Sequence, residues 1–230
     1  RWENGKMLIK GILDYDIVNY KKPAMFIATN VCDFKCCREA GIPISTCQNS
    51  TLANEPTFDI SINKLIDLYM DNPLVKSVVF GGMEPFNQFK DVLHFISRLR
   101  SFGIADDVVI YTGYKEEEVK REIESLKKYA NIIVKFGRYV PNSKERFDDV
   151  LGVTLISENQ YAKRLWGNIM KVVNVKEFEK VYATSCGVYG GCDNIICKNN
   201  PCEAVNIVRT IAFELNDNDE RNIPNNEKDE

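Results

Sequence analysis

Histidine is almost missing from this chain: His94 is the one example in 230 residues. That scarcity excludes a multi-histidine metal site, and it leaves a Ser-His-Asp triad only if His94 serves, so a catalytic metal must be held mainly by sulfur or oxygen. His94 itself lies in an amphipathic run and reads as a helix residue near the surface. A basic excess is lacking too, with 30 Lys and Arg against 33 Asp and Glu, so nothing points to nucleic acid. Apolar runs stop at strand length, far short of the ~20 residues of a membrane span, and the first residues lack a signal peptide's apolar core. A cytoplasmic location without a membrane partner is the default expectation. With 44% hydrophobic and 27% charged residues, the chain can build one sizeable core.

Cysteine, by contrast, is plentiful, and in a reducing compartment eight cysteines point to metal ligands or redox groups rather than structural disulfides. Four fall in Cys32-Asp33-Phe34-Lys35-Cys36-Cys37 and Cys47-Gln48-Asn49, directly after the apolar run Ala24-Met25-Phe26-Ile27-Ala28. Three thiolates can hold three irons of a four-iron cluster and leave the fourth open, whereas four would close a structural zinc site. The spacing does not match paired Cys-x2-Cys knuckles, and adjacent Cys36 and Cys37 are poorly placed to share one small ion. Spacing alone leaves cluster and zinc as competing readings, with unliganded cysteines as a third.

The chain around this loop alternates between two hydrophobic periods. Residues 1–23 read as a leading strand and turn, with Asp16-Ile17-Val18-Asn19-Tyr20 running into Lys21-Lys22-Pro23. Strands are predicted at 24–29, 77–80, 108–111 and 132–134, each a short apolar run, and three end in glycine at Gly81-Gly82, Gly113 or Gly137. Helices are predicted between them from Ile62, Leu65, Ile66 and Tyr69, from Phe89 to Leu99, and from Val119, Ile123 and Leu126. Such alternation implies βαβ units and a parallel sheet, whose ligands gather at the carboxyl ends of the strands. That rim is where the cysteine loop, Gly81-Gly82-Met83-Glu84-Pro85 and Tyr111-Thr112-Gly113-Tyr114 all fall.

These three loops together resemble the radical S-adenosylmethionine enzymes, most closely the small activating proteins of anaerobic ribonucleotide reductase. The likeness covers about residues 16–165 and includes Cys32-x3-Cys36, Cys47-Gln48-Asn49, Ile110-Tyr111-Thr112-Gly113-Tyr114, Gly137-Arg138-Tyr139 and Asn159-Gln160. Two departures stand out. The family spacing is Cys-x3-Cys-x2-Cys, but Glu39 occupies the third position, and Cys47 is reached only through the insertion 38–46. The usual Gly-Gly-Glu-Pro here contains Met83.

The resemblance implies an α/β fold, a partial (βα) barrel, with Cys32, Cys36 and Cys47 holding a [4Fe-4S] cluster and Cys37 as the spare. It implies S-adenosyl-L-methionine as the second cofactor, contacted by Gly81, Gly82, Met83, Glu84, Pro85, Thr112, Gly113, Asn159 and Gln160. It further implies a glycyl-radical enzyme as partner and an electron donor such as flavodoxin. The alternatives are a radical enzyme acting on a small molecule or peptide, and a metal-stapled binding protein without catalysis. Cys186, Cys192, Cys197 and Cys202, among Gly187, Gly190, Gly191 and Pro201, form a candidate second site for zinc or another iron–sulfur cluster, outside the resemblance. The expected domains are a core at 1–172, a Cys-rich extension and helix at 173–215, and a disordered acidic tail at 216–230.

Overall fold

The structure is a computed structural model and describes residues 5–165. These form a mixed α/β fold around a seven-stranded sheet whose central strands are parallel. In chain order come β1 (Lys6–Asp16), β2 (Ala24–Thr29), α1 (Lys35–Ala40), α2 (Ser50–Asn54), β3 (Phe58–Ser61) and α3 (Ile62–Met70). Then follow β4 (Ser77–Gly82), α4 (Phe89–Ser101), β5 (Asp107–Tyr111), α5 (Lys120–Leu126) and β6 (Ile132–Phe136), with β7 (Arg146–Asp148), β8 (Val153–Leu155) and β9 (Tyr161–Leu165) last. The sheet order is β3-β1-β2-β4-β5-β6-β9, and β7 and β8 pair separately.

Strands β2, β4, β5 and β6 are parallel and adjacent in sequence order, so each crossover carries the chain one strand along. Period-two alternation gives these strands two unlike faces. One face, with Ile27, Phe80, Ile110 and Val134, packs against Leu65 and Ile66 of α3, Phe95 and Ile96 of α4, and Ile123 and Leu126 of α5. Phe80 and Phe95 meet edge to face at 5.2 Å. The opposite face, with Val79, Val109 and Ile133, is covered by Tyr20, Leu151 and Leu155. Local signals fix the helix ends: the Ser61 hydroxyl accepts from Lys64 N–H at 3.1 Å to start α3, and Gly103, at φ +75°, follows the end of α4.

All four predicted parallel strands and the three helices predicted between them are present. The leading strand runs over Lys6–Asp16, and the turn follows it, both within residues 1–23 as expected. The cause of the turn is local: the Asp16 carboxylate accepts from Val18 N–H and the Asn19 side chain, both at 3.0 Å, which turns the chain out of the strand. The cysteine loop contains α1 and α2, and β3, β7, β8 and β9 are additions the sequence reading did not make. Among the described residues no helix is long and apolar enough to cross a membrane. The domain boundaries expected at 172 and 215, the Cys186–Cys202 set, the last helix and the tail lie outside the described residues.

Candidate metal centre

At the carboxyl ends of the parallel strands lies a cavity of about 530 Å³, the size of a small-molecule site. Cys32, Cys36, Cys37 and Cys47 all line it. Cys32 leaves β2 and accepts a hydrogen bond from Phe34 N–H at 3.2 Å. Phe34 adopts a left-handed backbone, φ +51°, and so turns the chain into α1, which carries Cys36 and the buried Cys37. Gly113 lies against Cys36: a Cβ there would come within 2.7 Å of the Cys36 sulfur, which would have to shift.

The insertion folds back as a ligand role for Cys47 would require. Gly41, at φ +64°, ends α1, and a short 3-10 turn at Ile44–Thr46 reverses the chain. Cys47 thereby comes within hydrogen-bonding reach of Cys37. Two residues on, the Asn49 side chain donates to the Gly82 carbonyl at 2.5 Å, tying the insertion to the Gly-Gly loop. Gly82 itself has φ +75°, and a Cβ there would come within 2.9 Å of Leu52 and 3.0 Å of Ala28. Glu39, where the compact spacing would have a third cysteine, turns to Arg138, with bonds of 2.9 and 3.0 Å.

Glu84 is buried and engaged by its own rim. Its carboxylate accepts from Thr112 Oγ at 2.8 Å, Phe86 N–H at 3.0 Å and Gly113 N–H at 2.9 Å, so most of its acceptor capacity ties β4 to β5. Burial pushes its pKa up to about 6 against these donors and the charge of Lys135. Met83, Thr112 and Gln160 also line the cavity. Pro85 instead opens the 3-10 turn Pro85–Gln88, and Asn159 donates to the Arg138 carbonyl at 3.0 Å. Gln160 is 3% exposed, and its Oε1 has no hydrogen-bond partner among the described residues.

Lys135 is the functional candidate missed in the sequence. It is buried on β6, lines the cavity, and donates to the Gly137 carbonyl at 3.3 Å. Burial lowers its pKa to about 8, opposed by Glu84 and Cys36. A lysine continuing the apolar run Ile132-Ile133-Val134 was the available signal.

The thiols of Cys32, Cys36 and Cys37 on this wall are held neutral by burial. Burial, reinforced by Glu84 and Asp33, lifts Cys32 to about 12, although the Phe34 N–H opposes it. Burial also raises Cys36 and Cys37. Neutral buried thiols become thiolates when a metal displaces their protons. Among the described residues no three Cys, His, Asp or Glu side chains are placed to hold a single metal ion. One zinc needs four sulfurs at about 2.3 Å, whereas a four-iron cluster takes each thiolate on a separate iron. The four thiols along this cavity wall are the donor type that a four-iron cluster takes.

A family model described as "4Fe-4S single cluster domain" matches residues 25–161. The chain belongs to the 4Fe-4S single cluster domain family. No curated protein and no solved structure matches it. The match spans all four N-terminal cysteines and reaches Gln160, while Cys186 to Cys202 fall beyond it. Membership in this 4Fe-4S family supports an iron–sulfur cluster as cofactor, and such a cluster is compatible with oxidoreductase chemistry.

Proposed function

We propose that the chain is a radical S-adenosylmethionine enzyme of partial (βα)-barrel type, which activates an anaerobic ribonucleotide reductase by forming its glycyl radical. The observation that carries this reading is one cavity wall bearing four thiols beside Gly81, Gly82, Lys135 and the unpartnered Gln160 Oε1. Cys32, Cys36 and Cys47 are the cluster ligands, and buried Cys37 is the spare. When bound, the cluster and S-adenosylmethionine supply one-electron cleavage of a carbon–sulfur bond, giving methionine and a 5′-deoxyadenosyl radical.

The chain's own residues bind and orient the ligand. Gly81 and Gly82 line the cavity, and their missing side chains leave room for Phe26, Leu52 and Ala28 to pack against this loop. Lys135 provides a desolvated positive charge for a carboxylate, which the low dielectric of the cavity strengthens. Gln160 Oε1 accepts from a ligand hydroxyl or amino group that would otherwise leave it unsatisfied. Leu13, Val18, Val153 and Leu155 add apolar side chains to the cavity lining. The hydrogen donor is a glycine Cα of the partner enzyme, and a flavodoxin-like donor in the cytoplasm supplies the electron.

Anaerobically reconstituted chain given dithionite and S-adenosylmethionine is expected to release 5′-deoxyadenosine, measured by liquid chromatography. A closed zinc site without cleavage overturns the reading. Mixing with an anaerobic reductase is expected to produce a glycyl-radical doublet by EPR; cleavage without that doublet directs the search to a small molecule or peptide.

A further inference from the structure

Arg138 follows Gly137 beyond the end of β6, and its side chain is 8% exposed. Its guanidinium forks onto the Glu39 carboxylate of α1 through Nε at 2.9 Å and an Nη at 3.0 Å. The same group donates to Glu118 at 2.8 Å and to the Gly113 carbonyl. Lys35, at the start of α1, adds a 2.5 Å bond to Glu118. Despite partial burial, Arg138 and Lys35 hold the Glu118 carboxyl down to about 2, so this cluster is ionised at neutral pH.

Both structures held by Arg138 meet at one sulfur. Glu39 stands three residues after Cys36 on α1, and Gly113 is the residue whose backbone lies against the Cys36 thiol. The backbone N–H of Tyr139, next in the chain, acts against the burial that raises the Cys36 thiol. A helix of six residues is marginal without an external anchor, and the bidentate fork supplies one. Positive charge and N–H donors beside a cluster sulfur both favour the reduced state.

We infer that Arg138 is a positioning residue for Cys36: it clamps α1 and Gly113 about that sulfur and is the cationic member of the ion-pair cluster, with Glu39 and Glu118, beside any cluster bound there. The inference rests on the cluster reading above, but the clamp is testable without metal. In full-length apoprotein, hydrogen exchange of the α1 amides is expected to quicken about tenfold in both Arg138→Gln and Glu39→Gln. Glu39→Gln is nearly isosteric at a half-exposed side chain, so it keeps the test independent of misfolding.

In anaerobically loaded chain, Arg138→Gln is expected to reduce the fraction of reduced cluster at fixed potential about tenfold, about 59 mV for one electron. Arg138→Lys, with the charge but without the fork, is expected to keep the wild-type potential while α1 exchanges faster. Unchanged exchange in Arg138→Gln and Glu39→Gln, or an unchanged potential in Arg138→Gln, overturns the inference. A wild-type chain that takes up no iron overturns the cluster reading instead, and the exchange measurement still decides the clamp.

Discussion

On their helix-covered face the parallel strands carry an unbroken apolar layer, in which Ile27, Phe80, Ile110 and Val134 are fully buried. On the other face the same strands change character towards their carboxyl ends, where Phe26, Gly81, Tyr111 and Lys135 line the cavity. Register explains why these meet: Ala28 pairs with Gly81, and Tyr111 with Lys135. Burial alone would favour the same residue types on both faces of a parallel sheet. The glycine and lysine on the second face therefore mark where packing gives way to the cavity.

The comparison breaks if a helix-face substitution affects the cavity as strongly as it affects the core. Phe80→Ala removes a fully buried ring and its contact with Phe95, so it is expected to cost about 3–5 kcal/mol in denaturant unfolding. Iron uptake per folded molecule is expected to stay at the wild-type level. Selective loss of iron uptake from chain that remains folded would mean that the two faces are not separable.

A smaller effect is expected at the amino end of β5, opposite the cavity. Asp107 is buried and pairs with Arg164 and Lys22, both at 2.7 Å, while Tyr20 donates to it at 2.8 Å. Burial pushes its carboxyl up, but these partners outweigh burial and bring it down from 3.8 to about 2. Because the folded carboxyl titrates below the unfolded one, its stabilisation is complete above pH 3.8 and is lost as pH falls through about 2. That contribution is on the order of 2 kcal/mol. Asp107→Asn is expected to lower stability at pH 7 and flatten its acid dependence; an unchanged acid limb would remove Asp107 as its source.

The legible parts were those with a strong period or strong turn chemistry. The β-branched runs of β4, β5 and β6 and the apolar spacing of α3 and α4 were placed from sequence. Strand β9, Tyr161–Leu165, was not, because Lys163 and Arg164 interrupt its short apolar pattern. At the site, the cysteines, the Gly81-Gly82 loop, Thr112, Gly113 and Gln160 were all visible as residue types, and the structure brings them to one cavity. What could not be read was the partner of each polar group. Glu84 lines the cavity as expected, but its bonds to Thr112 and Gly113, which tie β4 to β5, were not legible, nor was the bond of Asn159 to the Arg138 carbonyl. Glu39 appeared as a mere departure from cysteine, yet its salt bridge crosses 99 positions of sequence, beyond any local pattern.

Lys135 gives the sharpest version of the two-face comparison because the smallest stability effect should accompany a large binding effect. Among the described residues no carboxylate lies within ion-pair distance of Lys135; its ammonium donates to the Gly137 carbonyl, lies 5.8 Å from the Tyr111 ring, and feels the charge of Glu84 at longer range. Removing a buried charge relieves desolvation, so Lys135→Met, which keeps the apolar stem's volume, is expected to change stability by no more than ~1 kcal/mol. Glu84 tolerates the loss because its bonds to Thr112, Phe86 and Gly113 remain. Binding of S-adenosylmethionine to the loaded chain, measured by calorimetry, is expected to weaken at least about tenfold as the ligand carboxylate loses its counter-charge. The opposite pattern, a large drop in stability with unchanged binding, would assign Lys135 to packing and return the cavity face to the same logic as the helix face.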